Sequence, residues 1–158
     1  SLLSGNSWYD QFVNDQDAKA LSISAQRGMD LFFSDRTQCS SCHGGFNFTN
    51  YAFENNGLYE EYTDQGRFRL TGKPEDLALF KVPTLRNIAL TAPYMHDGSI
   101  PTLAAVVEHY NTGGQTHIHK SNRIQQLDLT ETEKEDLIQF LYSLTDETFI
   151  ENPLFQKE

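Results

Sequence analysis

The run Cys39-Ser-Ser-Cys42-His43 constrains this chain more than any other feature. Two cysteines at this spacing stand on one face of a helical turn. A histidine follows directly on the second. The pattern is the attachment signature for c-type haem. The two sulfurs reach the vinyl groups on one porphyrin edge, and the next imidazole reaches the iron from the proximal side. A chain that carries it has to fold around a large, flat, mostly apolar group.

Two other chemistries use such a pair. A dithiol redox centre calls for a βαβ frame, whereas this chain reads as helical segments joined by loops. Zinc would take Cys39, Cys42, His117 and His119 as four tetrahedral ligands. That scheme leaves the histidine after Cys42 unexplained, and a zinc-stabilised interaction module stands as an alternative. The chain has only these two cysteines, so no structural disulfide is left over. Covalent haem attachment generally takes place outside the cytoplasm, so a periplasmic location is expected.

A length of 158 residues suits one domain. Only 38% of the chain is hydrophobic, yet it has eleven Phe and seven Tyr. A haem would give those rings a surface to pack on. The net charge of −10 argues against nucleic acid, which needs a basic footprint, and against an anionic membrane surface. No apolar run approaches the roughly 20 residues of a membrane span, so no membrane insertion is expected. No leader-like segment is read at Ser1. The chain is expected to begin as a mature product or as a piece of something longer.

The pattern along the chain predicts an N-terminal extension over 1–21, a haem domain over 22–146 and a tail over 147–158. Trp8, Tyr9 and Phe12 in the extension suit a short helix laid on the domain surface. Ser24 to Phe33 reads as an amphipathic helix capped by Ser24, with Ala25, Met29, Phe32 and Phe33 near one face. Residues 44–73 read as a long loop punctuated by Gly44-Gly45, Asn55-Asn56-Gly57 and Asp64-Gln65-Gly66. A loop of that length suits wrapping a haem edge. Short helical pieces are expected over Pro74–Phe80 and from Pro83 to Asn87. Thr102 caps a helix that ends at Asn111-Thr112-Gly113-Gly114. Thr130-Glu131-Thr132-Glu133 is a capping box opening the last helix, whose inner face is Leu137, Phe140, Leu141 and Leu144. That helix should pack on the 24–33 helix. The fold class is all-α: a cytochrome c-like domain with long loops around one covalently bound haem.

Spacing alone makes Met95 the first choice for the second axial ligand. A thioether on a Pro-containing loop suits a low-spin electron-transfer haem. His96, His109, His117 and His119 are further candidates.

Three long segments carry a family resemblance. They are Phe80-Lys81-Val82-Pro83-Thr84-Leu85-Arg86-Asn87, Leu90-Thr91-Ala92-Pro93-Tyr94-Met95-His96-Asp97-Gly98, and Thr102-Leu103 through Tyr110-Asn111-Thr112-Gly113-Gly114. With 136–145 they resemble the bacterial di-haem cytochrome c peroxidase and MauG family over about residues 22–146. Only its C-terminal haem domain is matched. The resemblance implies an electron-transferring haem c whose partner is a second haem domain or an electron-donor protein. The peroxide-reducing haem belongs to the other domain, and Trp8 does not match the family's inter-haem tryptophan. The family's distal-ligand position, counted from Thr91-Ala92-Pro93, falls on Tyr110. The MauG branch has a ligating tyrosine there, and a phenolate, being hard and anionic, favours ferric and higher states. The resemblance further implies a calcium site through the carbonyls of Thr91 and Pro93, and makes Arg86 a candidate partner for a haem propionate. A stand-alone monohaem carrier with Met95 on the iron is the alternative.

Overall fold

The computed structural model describes residues 4–155. Its frame is a pair of helices far apart in sequence. Helix α2 (Ile23–Phe32) starts at Ser22, whose hydroxyl accepts the Ala25 N–H. The expected cap, Ser24, is instead drawn across to the partner helix, where its hydroxyl donates to Asp136 at 2.5 Å. Helix α6 (Glu131–Tyr142) opens at the Thr130–Glu133 capping box. Ala25, Gly28 and Phe32 of α2 are buried against α6, which buries Leu137, Ile138, Phe140 and Leu141. Gly28 sets the distance between them. A Cβ there would lie 1.9 Å from the Asp136 carbonyl oxygen. Arg27 grips the same residue with a two-pronged fork, both N–O distances being 2.7 Å. Helix α5 (Leu103–Asn111), capped by Thr102, packs on α6 and adds Leu103 and Val107 to the core.

The N-terminal segment belongs to this core. Ser7 and Asp10 form a capping box at the start of α1 (Trp8–Asn14). Tyr9 packs edge-on to Phe48 and Phe140. The carboxylate of Asp146 accepts the Gly5 and Asn6 N–H groups at 2.9 Å each, tying the two ends of the chain together.

The long middle region is not purely loop, so the all-α expectation is corrected to mostly helical with a small sheet. β1 (Phe53–Glu54) pairs antiparallel with β2 (Phe80–Lys81), Phe53 facing Lys81. Two-residue strands this far apart leave no local alternation to read. The region also holds the single turn α4 (Phe68–Thr71), and the single turn α3 (Cys39–Cys42) precedes it. The expected helical piece from Pro83 shifts to a 3-10 turn at Ile88–Leu90, and the one at Pro74 shortens to a 3-10 turn ending at Asp76. A last turn, α7 (Glu147–Ile150), is capped by Asp146.

Candidate haem site

Helix α2 hands the chain to α3, which carries the motif. Gln38 turns into it in the left-handed conformation, φ +51°. The His43 N–H donates to the Cys39 carbonyl at 2.9 Å and closes the turn. A Cβ on Gly44 would meet the Ser40 carbonyl oxygen at 2.7 Å, so a side chain there would push against the turn. His43 Nδ1 donates to the Phe48 carbonyl at 3.1 Å. A carbonyl can only accept, so Nδ1 carries the hydrogen and Nε2 the lone pair; the Pro83 carbonyl is a further backbone partner of the ring, and such partners orient a ligating imidazole. Phe48 itself is buried in the core and held by its own N–H bond to the Gly45 carbonyl.

Cys39, Cys42 and His43 border a cavity of about 360 Å³. Phe32, Leu85, Ile88, Leu103, Val107, Leu129, Leu137 and Leu141 line it, as do Tyr110 and Met95. The two thiols are unpaired. Burial pushes both upward, so they rest as thiols. A dithiol centre would want the opposite, an electropositive site that stabilises thiolate. Burial pushes the His43 imidazole downward, which keeps it neutral. An apolar cavity bordered by two thiols and a neutral, oriented imidazole fits a covalently held haem.

On the Tyr110 side Asn56 borders the cavity. Its amide Nδ2 donates to the Met95 sulfur at 3.2 Å, and its carbonyl oxygen accepts from His109 Nε2 at 3.0 Å. Burial pushes the Tyr110 phenol upward, and a hydrogen bond from the Asn56 side chain pulls the other way. Beside it Asn55, fully buried, donates to the Ala78 carbonyl and accepts the Gly57 N–H. At the Cys42 end the ion pair Arg123–Glu54 borders the cavity, with the charges 3.1 Å apart. Asn55, Asn56, Glu54 and Arg123 were not legible as site residues. The asparagines read as a turn, and the ion pair joins residues far apart in sequence.

Several expected site residues lie elsewhere. Arg86 is not among the residues that border the cavity. Its guanidinium is spent on a buried two-pronged pair with Asp10, at 2.5 and 2.9 Å, on the Phe46 carbonyl, and on the faces of Phe46 and Phe48. Thr91 and Pro93 flank the cis Ala92–Pro93 bond on an exposed loop outside the cavity. His117 and His119 are near each other but not near the cysteines. Among the described residues no group of three or more His, Cys, Asp or Glu side chains converges as a metal site. That removes the zinc arrangement.

Comparison with known proteins follows the same line. Residues 80–111 match the family described as RoxA-like, cytochrome c-like. The cytochrome c peroxidase IdrP1 of Denitromonas iodatirespirans is 34% identical over 82% of this chain and 42% of its own length. The methylamine utilization protein MauG of Methylorubrum extorquens is 34% identical over 91% of this chain and 40% of its own length. Over most of its length the chain is similar to one part of the bacterial cytochrome c peroxidases and MauG proteins. Among solved structures, a MauG-like protein associated with microbial copper homeostasis superposes with a TM-score of 0.91. It is 38% identical, over 97% of this chain and 52% of that one. The chain thus spans about two fifths of the curated relatives it matches. A di-haem peroxidase of Burkholderia thailandensis, BthA, 22% identical, shares the fold with a TM-score of 0.73 over 91% of this chain and 47% of that one. No helix of the described residues is long and apolar enough to cross a membrane.

Proposed function

We propose that this chain is a c-type haem electron-transfer domain, equivalent to the C-terminal half of a di-haem oxidoreductase, and that it works outside the cytoplasm. The observation that carries the reading is the meeting of Cys39, Cys42, His43 and Tyr110 on one largely apolar cavity. Bound haem would supply a one-electron couple buried from water. Cys39 and Cys42 would hold its edge as thioethers. His43 would present Nε2, already aimed by the Phe48 carbonyl. Tyr110 would serve with His43 to hold the iron, as a phenolate that favours the ferric side. The apolar residues of α5 and α6 exclude water, which lowers the local dielectric and raises the weight of every nearby charge.

The partner is a second haem domain or an electron-donor protein. The net charge of −10 means that a basic partner surface would be steered and an acidic one repelled. A calcium ion held by the Thr91 and Pro93 carbonyls would sit on the exposed loop, outside the cavity, where such a partner could share it.

A second reading has an observation of its own. Met95 also borders the cavity, so a carrier with His43 and Met95 on the iron is the rival. Ferric absorption of the haem-loaded protein separates the two. We expect a Soret band, no near-infrared methionine-to-iron band, and a changed spectrum in Tyr110→Phe. A methionine band in the wild type that vanishes in Met95→Leu would give the site to the carrier reading.

A further inference from the structure

Two candidate ligands of opposite chemistry border one cavity, and one amide lies between them. The orientation of that amide is fixed by its surroundings. Asn56 Oδ1 accepts the Leu58 N–H at 3.2 Å, so the oxygen faces its own loop. The nitrogen points the other way, where it meets the Met95 sulfur at 3.2 Å, and the same side chain hydrogen-bonds the Tyr110 phenol. The Leu58 N–H also has the Tyr62 hydroxyl as an acceptor, at 2.8 Å, so the amide is held by its two contacts together, Oδ1 with Leu58 and Nδ2 with Met95.

The Asn56 backbone is equally constrained. Its carbonyl takes the His109 hydrogen bond, and Gly114 lies so close that an added Cβ would be 2.9 Å from the same oxygen. Gly57 accepts the Gln115 N–H on the other side of the turn, and Asn55 is buried beneath it. The amide is therefore carried on a rigid platform between α5 and the core. Met95 is held from its own side too. Its backbone sits at φ +74°, a region unfavourable for a residue with a side chain. The Tyr94–Ile100 backbone pair on either side keeps the loop there.

We propose that Asn56 is the residue that selects the distal ligand, its amide fixing the Met95 sulfur in place while facing the Tyr110 phenol, so that Tyr110 is the donor presented to the iron. The inference rests on the haem reading above. A thioether is a weak acceptor with two lone pairs, so the amide acts by fixing where the sulfur lies and not by consuming its capacity to bind a metal. The role is one of positioning, because Asn56 acts through Met95 and Tyr110.

The test is the ferric near-infrared and Soret spectrum of the haem-loaded chain in four forms: wild type, Asn56→Ala, Asn56→Asp and Asn56→Ala with Met95→Leu. Asn56→Asp keeps the oxygen that caps Leu58 and has no amide hydrogens, so it spares the turn if alanine does not. The proposal expects no methionine band in the wild type, gain of that band in Asn56→Ala and Asn56→Asp, and its loss in the double variant. Wild-type spectra in both single variants would overturn the proposal and leave the haem reading intact. A methionine band already present in the wild type would overturn it by giving the iron to Met95. Absence of covalent haem in every form would bring down the haem reading, and the proposal with it.

Discussion

Replacing Gly28 with alanine pits two rules against each other. In a helix interior alanine is favoured over glycine by about 1 kcal/mol, so local propensity predicts a more stable protein. The packing predicts the reverse. The new Cβ would lie 1.9 Å from the Asp136 carbonyl oxygen, 2.4 Å from its carbon and 2.9 Å from the Phe140 Cβ. Two of these are backbone atoms in the middle of α6, which cannot rotate away. To reach an ordinary contact of 3.4 Å the two helices must part by about 1.5 Å. That opens the stripe formed by Ala25 and Phe32 against Phe140 and Leu141, and strains the fork between Arg27 and Asp136. Overpacking of this kind costs about 1–3 kcal/mol, and a backbone clash belongs at the upper end. Set against the helix preference, the net loss is about 2 kcal/mol, or roughly 5 °C in Tm for a domain of this size. Thermal unfolding of the haem-loaded protein followed by far-ultraviolet circular dichroism measures it. Because Leu137 and Leu141 also border the cavity, the Soret band should shift as well. An unchanged or raised Tm would mean that the α2–α6 spacing is not set by Gly28.

Two further predictions follow from the ion pairs. Arg86→Leu leaves the Asp10 carboxylate buried without its partner and should cost about 3–5 kcal/mol in urea unfolding, while leaving the haem spectrum unchanged. A haem spectrum that moved as much as the stability would return Arg86 to the haem. The second concerns acid. The Arg27 guanidinium beside Asp136 holds that carboxyl below its ordinary value of 3.8. For Asp10 burial pushes upward, but the hydrogen bonds from Arg86 and Ser7 outweigh it, and the net direction is also down. Carboxyls lowered in the folded state add stability that is fully present above the unfolded value and is lost as the pH falls through the folded one. The urea midpoint should therefore drop as the pH falls below about 4, and drop less steeply in Asp136→Asn. Parallel curves for the two proteins would refute the assignment.

What was legible in the sequence is what local chemistry decides. Thr102 and the Thr130–Glu133 box announce α5 and α6 because a helix start is satisfied by its own side chains. The burial of Leu137, Phe140, Leu141 and Leu144 follows from their period. The Ser7–Asp10 box is of the same kind and was there to be read. Ser22 and Ser24 could each cap α2, and only the partner Asp136, a hundred residues away, draws Ser24 out of that role. The β1–β2 pair and the Arg86–Asp10 pair are likewise long-range and leave no local trace. At the site, the motif at 39–43 and the position of Tyr110 could be named from sequence, and the fold gathers them around one cavity. Asn56 could not. Its meaning lies in which atoms it faces, and a turn sequence with two asparagines does not say.

The most direct test of the whole account is whether haem becomes covalently part of this chain. The protein is produced together with haem-attachment machinery, extracted with acidic acetone and weighed by mass spectrometry. One haem per chain should survive extraction in the wild type and be absent when Cys39 and Cys42 are both replaced by alanine. A wild-type chain whose mass shows no haem, or whose haem leaves with the solvent, would contradict the account.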